Sequence, residues 1–316
     1  MWLEFFRFDL RYHLRQPLFW IAAAVLAALG FITASSASMR VGGSIGNLHL
    51  NAPVVIANQL GFLSLIAMFL VAVFIAGAIL RDSDAGMADL LFATPASKLD
   101  YLAGRFLAGF GVCLAVFALV TLAMMFGSRM PSIDSERIGV FTLYPYAWAF
   151  AVLVVPNLLF VASLLLLLAA LTRSLVMVYA GVLAFTVLWA MAATLSSGGN
   201  GESLGVLLDP FGVRALAQMT RYYSSAQANT EIPRLAGVLL LNRVLWTGIA
   251  ICLFALTVAC FNTGRTDAAK RRFGMRAAPV AMAALPVTAP AALMPRFAPR
   301  FDRAALAAQW WQVLRF

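Results

Sequence analysis

The chain has few charged residues and little of what catalytic sites are usually built from. Charged residues make up 11% of its 316 residues, and it contains three cysteines and two histidines. All three cysteines lie within apolar runs, so they indicate no disulfide framework. His13 and His49 are too far apart in the sequence to suggest a metal site. No metalloprotease, serine-hydrolase or phosphate-loop signature is present. We therefore predict no bound cofactor or metal and no enzymatic activity in this chain.

Apolar residues are abundant instead, at 63% of the sequence. They are concentrated in six long runs, each close to the about 20 residues that a helix needs to cross about 30 Å of hydrocarbon. The runs are Leu18–Ser35, Leu60–Leu80, Phe106–Phe126, Ala147–Leu171, Leu175–Leu195 and Val244–Phe261. The sequence therefore predicts an all-α membrane protein with six transmembrane helices, in a permease domain over residues 17–262.

The distribution of positive charge predicts the orientation. Sixteen of the 23 Lys and Arg fall before the first run, in every second gap and after the sixth run, and the other seven lie in the remaining gaps. Because Lys and Arg near span ends favour the cytoplasm, we expect a bacterial inner-membrane protein with both termini in the cytoplasm. Most of the net charge of +10 follows the sixth run, where it suits anionic lipid rather than nucleic acid.

Residues 1–16 predict an amphipathic helix on the membrane surface. Arg7, Arg11 and Arg15 recur every four residues, and aromatic and leucine side chains supply an apolar face. Pro17 is expected to end this helix as the chain turns into the bilayer. A cleaved signal peptide is the alternative, but the apolar run exceeds the about 7–15 residues typical of one. We therefore expect the first span to be retained.

The cytoplasmic loop at residues 81–105 carries an amphipathic pattern of its own. Asp82 and Asp84 stand where carboxylates favour the start of a helix. An apolar stripe follows, and Thr94-Pro95 would end the helix. Such a helix either seals the loop against the membrane surface or docks its apolar face into a partner.

A second helix start is predicted just after this loop helix. Ser97 is followed three residues later by Asp100, a capping pattern in which the side chains satisfy free backbone N–H groups of the first turn. We therefore expect the helix of the third span to begin here, ahead of its apolar run.

The loop resembles the cytoplasmic loop of type-two ABC transporter permeases. In that family an acidic, glycine-containing turn leads to a leucine-rich helix, a Thr-Pro or Ser-Pro stop, and a Gly-Lys or Gly-Arg pair entering the next span. Residues 81–95 and 101–105 are similar to this pattern. The resemblance implies a coupling helix that contacts a separate ATPase subunit. The residues assigned to it are Asp82, Asp84, Gly86, Met87, Asp89, Leu90, Leu91, Thr94 and Pro95.

The resemblance covers nearly the whole chain, including the segment before the sixth span, which in the family holds short re-entrant helices. Three short motifs are also similar to those of a bacterial subgroup in which two permease halves are fused to a zinc aminopeptidase-like domain. They are Asn51-Ala52-Pro53, Leu208-Asp209-Pro210-Phe211-Gly212 and Leu241-Asn242-Arg243-Val244-Leu245-Trp246. This chain resembles the first half of that arrangement. Its residues up to Phe316 offer no peptidase sequence, so no zinc ligand is assigned.

The tail after the sixth run falls into two parts. Residues 263–309 are basic and rich in Pro and Ala, which predicts an extended cytoplasmic linker. Residues 310–316 return to an aromatic pattern, and aligning Trp310 with Trp2 places Arg315-Phe316 on Arg7-Phe8. This match is either chance similarity of two amphipathic segments or the start of a second permease repeat. We expect the second, in a longer pseudo-symmetric protein.

Few polar residues lie within the predicted spans. Pro156 predicts a kink in the fourth span, and Asn157 is expected to satisfy the freed backbone carbonyl, with a substrate contact as the alternative. Arg243 precedes the sixth run and is expected to snorkel to the outer interface. No predicted span carries an Asp, Glu, Lys or Arg near its centre. That pattern disfavours an ion-coupled secondary transporter, which needs an ionisable group within the membrane.

The sequence thus predicts the permease component of an ABC transporter, which moves a substrate across the membrane with ATP hydrolysed by a separate subunit. The expected partners are that cytoplasmic ATPase, a second permease half as a homodimer or a fused repeat, and membrane lipid. A membrane anchor for an appended aminopeptidase-like enzyme, without transport activity, is one alternative. A secondary transporter is the other.

Overall fold

The computed structural model of the chain describes residues 1–36, 48–84, 97–131, 133–195 and 202–261. Regular structure within these ranges is helical throughout, with no strand in them. The all-α class predicted from the sequence is therefore confirmed. The predicted linker at 263–309, the segment at 310–316 and loop residues 85–96 lie outside the described residues.

The N-terminal helix and the first span meet at proline, as predicted. Helix α1 runs over Trp2–Arg15 and α2 over Pro17–Ser35, with Pro17 at the first position of α2 and Gln16 extended between them. Proline fits this position because the first helical N–H has no partner within the helix. One face of α1 packs on the body of the protein rather than on lipid alone, since Asp9 and His13 are buried.

The second predicted span is longer than expected and bent. It comprises α3 (Pro53–Ile66), α4 (Met68–Val71), a π-helical turn (Ala72–Ala76) and α5 (Gly77–Asp84). The two parts meet at an angle of 45° after Ile66. Asp82 and Asp84, which the sequence places at the start of the loop helix, lie in the last described turn of α5. The helix predicted to follow them lies outside the described residues, so it stays a prediction.

The third and fourth predicted spans are continuous long helices. Helix α6 (Lys98–Gly127) begins where the capping pattern predicted, and the Ser97 hydroxyl accepts a hydrogen bond from the Asp100 N–H. Helix α7 (Tyr144–Ala149), a π-helical turn (Phe150–Val154) and α8 (Val155–Thr172) follow one another without interruption. The π-helical turn ends two residues before Pro156, and the kink predicted at this proline stays a prediction. Arg173, at φ 50°, then turns the chain into α9 (Leu175–Leu195).

Short helices occupy the segment before the last predicted span, and their re-entry into the membrane stays a prediction. They are α10 (Glu202–Leu207), α11 (Val213–Met219) and α12 (Ser225–Thr230). The last span, α13 (Gly237–Cys260), begins well before the predicted Val244. This earlier start places Arg243 inside the helix instead of at its outer edge.

Within the described ranges, four helices are long and apolar enough to cross a membrane, and the bent α3–α5 segment makes up to five. They are Pro17–Ser35, Lys98–Gly127, Tyr144–Thr172 and Gly237–Cys260. The apolar stretch of α9, Leu175–Met191, is shorter than the apolar stretches of these four helices. The chain therefore carries the helices of a membrane protein, and the six-span topology stays a prediction.

The protein core lies between these helices. Helix α2 packs along α6, α1 crosses the start of α6, and α13 lies against α8. The α1–α6 contact is close because Gly104 has no side chain: a Cβ there would lie 2.6 Å from the Cβ of Phe5 and 2.7 Å from the Trp2 carbonyl oxygen. Exposed leucine and valine side chains on α9 and α13 suit contact with lipid.

Reporter fusions should verify the orientation. We expect reporters after Asp89, Arg173 and Lys270 to read as cytoplasmic, and those after Asp134 and Glu202 as external, because basic residues are concentrated on the first side. Paired alkaline phosphatase and fluorescent protein fusions measure both states. A cytoplasmic reading at Glu202 would contradict the six-span arrangement.

Candidate functional site

A buried ion cluster connects the N-terminal helix to both flanks of the loop at residues 81–105. Asp9 of α1 is fully buried, and Arg105 of α6 is 3% exposed. The Arg105 guanidinium donates to both Asp9 carboxylate oxygens, at 2.8 and 2.7 Å. It also forms an ion pair with Asp82 at the end of α5. One arginine therefore joins the last described turn of α5, the first turns of α6 and helix α1.

Two further side chains complete this cluster. Arg81 donates to the Asp9 carboxylate at 2.7 Å, and its guanidinium lies 3.9 Å from the centre of the Tyr12 ring. The Tyr101 hydroxyl donates to Asp82 at 2.8 Å. Two arginines thus balance two aspartates. Burial of charge is tolerated here because each carboxylate receives both charge and hydrogen bonds.

His13 lies beside this cluster, one helical turn after Asp9. Its ring is 3% exposed and makes an edge contact with Phe74, at 5.2 Å between ring centres. Burial lowers the pKa of His13 below its ordinary value of 6.5; Asp9 and Gln16 oppose this shift, and Arg81 reinforces it. The folded protein therefore favours the neutral imidazole.

The lowered pKa of His13 predicts that folding weakens in acid. The unfolded chain binds a proton at this residue more readily than the folded chain, so stability falls as the pH drops below the ordinary value of 6.5. We expect the melting temperature of purified protein to decrease between pH 7.5 and 5.5, and the His13→Phe variant to lose part of that decrease. An unchanged pH dependence in the variant would contradict the assignment.

A second polar cluster is centred on Asn157, near the middle of the continuous helix Tyr144–Thr172. Its side-chain amide donates to the Ser64 hydroxyl at 2.7 Å and to the Phe211 carbonyl at 3.1 Å. The Asn157 side-chain oxygen, Oδ1, accepts a hydrogen bond from the Arg243 guanidinium at 2.7 Å. The expectation that Asn157 would satisfy a carbonyl of its own helix is not met, since these partners lie on α3, the short-helix segment and α13.

Arg243 is buried rather than snorkelling, so that prediction is wrong. Its side chain is 5% exposed, and it donates to Asn157, to the Asn242 side-chain oxygen and to the Pro210 carbonyl. The sequence suggested snorkelling because Arg243 was read as flanking the helix. Because α13 starts at Gly237, Arg243 lies inside the helix. Its guanidinium bonds the turn at Pro210 instead of reaching the helix end.

The two longer motifs that resemble those of the bacterial subgroup meet here. Asn242 donates to the Val206 and Asp209 carbonyls at 2.8 and 2.9 Å, and Trp246 donates to the Leu207 carbonyl at 2.9 Å. The Leu-Asp-Pro-Phe-Gly turn is therefore held on α13 by one amide, one guanidinium and one indole. Gly212 in this turn has φ +69°, and a Cβ there would lie 2.5 Å from Cζ of Arg243.

The Asp209 carboxylate shapes the same turn from within. It is 2% exposed and accepts from the Trp189 indole at 2.9 Å and from the Phe211 and Arg214 backbone N–H groups at 3.2 and 2.9 Å. A carboxylate that accepts several N–H groups fixes a turn strongly. The third motif acts elsewhere: Asn51 bonds the backbone of Gly139 in both directions, at 2.8 and 2.7 Å.

The sequence-predicted site residues have different outcomes. Asp82 joins the ion cluster and Asn157 joins the second polar cluster, whereas the Asp84 side chain and the residues from Gly86 to Pro95 lie outside what the structure describes. Sequence reasoning did not identify Asp9, whose acidic side chain stands between the basic residues of α1. It also did not assign Arg105 a partner, although the Gly-Arg pair of the loop pattern pointed to that position.

Neither a protein-family model nor a curated protein matches the chain.

Proposed function

We propose that this chain is the permease half of an ABC transporter, with six spans, both termini in the cytoplasm, and a coupling helix in the loop at residues 81–105. The observation that carries the proposal is the Arg105 ion cluster. It joins the two ends of the loop and the surface helix into one unit at the point where an ATPase would act. The loop resemblance supplies the identity of that partner.

The ion cluster would transmit force from the loop to three helices. A partner that displaces the loop pulls on α5 and α6 together, because Arg105 bonds Asp82 and Asp9 at once. Close packing of Phe5 and Trp2 on Gly104 carries the same displacement into α1. A flexible surface loop would dissipate such a displacement. Packed elements that are joined in this way can shift as one unit when a partner binds.

Transport also requires a second permease half. Helices α9 and α13 expose many apolar side chains, so one copy has apolar surface available for lipid and for another half. We propose that two halves, as separate chains or as a fused pair, enclose the path between them. ATP-driven closure of the ATPase pair would then rock the halves to alternate access.

Charge substitution in the loop tests the ATPase contact. Leu90→Glu and Leu91→Glu place an unpaired charge in an apolar contact, at a cost of several kcal/mol, which is enough to remove micromolar binding. We expect pull-down of the ATPase by the tagged chain to be lost in both variants. Val140→Glu is the matched control, since Val140 is 90% exposed and the predicted topology places it outside the cell, and it should retain binding.

The alternatives give different results in the same assay. An anchor for an enzyme, or an ion-coupled carrier, would bind no ATPase, so wild-type chain would recover none. Retained binding in both loop variants would show that the loop only covers the membrane surface.

A further inference from the structure

An amphipathic cavity of about 550 Å³ opens beside the ion cluster. It lies between α1, the start of α2, the π-helical turn with α5, and the start of α9. Leu18 is the second residue of α2, Leu175 is the first of α9, and Arg81 lies in the last turns of α5. Because apolar helices begin and end at this level, the cavity stands where hydrocarbon meets the headgroup layer.

Every side chain of the polar wall of the cavity can donate a hydrogen bond. It is formed by Tyr12, His13, Gln16 and Arg81. The Arg81 side chain keeps 26% of its surface exposed beyond its bond to Asp9. Neither ring nitrogen of His13 has a hydrogen-bond partner of standard geometry among the described residues, although the Gln16 side chain interacts with the ring. A buried polar group without a full partner is costly, so this wall favours a ligand that brings acceptor oxygens.

The opposite wall is apolar. Leu18, Val73, Leu80 and Leu175 line it, and Leu18 and Leu175 are 45% and 40% exposed towards the surroundings. A ligand that fills this cavity therefore needs acceptor oxygens at one end and hydrocarbon at the other. A phospholipid has both, in the right order for this depth.

The local charge selects among phospholipids. Asp9 and Asp82 are compensated by Arg105 and Arg81, so the exposed Arg11 and Arg15 of α1 leave the surroundings positive. We propose that this cavity binds the headgroup of an anionic phospholipid, whose phosphate oxygens accept from His13, Gln16 and Arg81 while its acyl chain follows the apolar wall. The bound lipid would fasten α1 to α5 beside the loop that the proposed function assigns to coupling.

Gly77 allows the cavity to be filled without removing a hydrogen bond. It lines the cavity, and a Cβ built on it meets nothing within 4 Å. Gly248 of α13 has equally open space and serves as the matched control. Gly77→Phe therefore blocks the cavity, and Gly248→Phe adds the same bulk elsewhere.

The test measures lipid binding by the full chain in detergent micelles, by native mass spectrometry and thermal unfolding. We expect dioleoyl phosphatidylglycerol to bind about fivefold more tightly than dioleoyl phosphatidylcholine, the factor for one basic residue at about 1 kcal/mol. That preference should disappear in Gly77→Phe and persist in Gly248→Phe. If Gly77→Phe is not monodisperse, His13→Phe should reduce the preference instead.

Several results would overturn this inference. Equal binding of the two lipids, or an undiminished preference in both Gly77→Phe and His13→Phe, would show that the cavity is not the site. Equal protection by inorganic phosphate would show a free anion rather than a lipid. None of these outcomes bears on ATPase pull-down, so the lipid site and the proposed function fail separately.

Discussion

Replacing Arg105 with leucine should destabilise the protein by about 3 kcal/mol, because it leaves a buried carboxylate without its main partner. Asp9 is fully buried and would retain one bond, from Arg81. Asp82 would keep the Tyr101 hydroxyl. We expect the variant to melt well below wild type in detergent and to lose ATPase binding even where it inserts into the membrane.

Two controls make this result specific. Arg7→Leu removes an exposed arginine from α1 and should change stability by no more than about 0.5 kcal/mol. The double variant Asp9→Leu/Arg105→Leu should be less destabilised than the sum of the two single variants, because neither charge is then left buried alone. Additive losses would contradict a direct interaction.

The Gly212→Ala substitution should cause the second large loss. Gly212 has φ +69°, and its added Cβ would lie 2.5 Å from Cζ of Arg243. Left-handed backbone alone costs a non-glycine residue about 1–2 kcal/mol. Displacing the guanidinium would further break its bonds to Asn157 and Pro210. We therefore expect a loss clearly above the backbone cost, measured as a lower melting temperature.

Gly237→Ala separates these two contributions. Gly237 has φ +54°, and nothing lies within 4 Å of an added Cβ there. It carries the backbone cost without the contact with Arg243. Equal losses in the two variants would show that the guanidinium can move aside, and the second polar cluster would then not depend on its present position.

Local patterns in the sequence predicted local structure well. Proline at position 17 separated α1 from α2, and Ser97 with Asp100 marked the start of α6, since both act within one helical turn. The apolar runs located the long helices. The runs did not locate the helix ends, because polar residues inside a helix interrupt the apolar pattern where tertiary contacts cover them, as at Asn242 and Arg243.

Partners distant in sequence could not be predicted from the chain alone. The local sequence suggests that Asp82 starts a helix, and it does not indicate the ion pair with Arg105 of α6. The local sequence relates Asn157 to the adjacent proline, and it does not indicate the hydrogen bond from Arg243 of α13. No proline or glycine lies within three residues of the 45° bend after Ile66, so the sequence did not predict the bend. In each case the deciding interaction joins separate helices, and helix packing follows from the whole set of contacts.

ATP hydrolysis associated with the purified chain tests the central claim most directly. The tagged protein is isolated from its own membranes in mild detergent, as wild type, Leu90→Glu and Val140→Glu. We predict Mg²⁺-dependent, vanadate-sensitive ATP hydrolysis in the wild-type and Val140→Glu preparations, and its loss in Leu90→Glu. No hydrolysis with the wild type, or equal hydrolysis in all three, would contradict the account of this chain as an ATPase-coupled permease half.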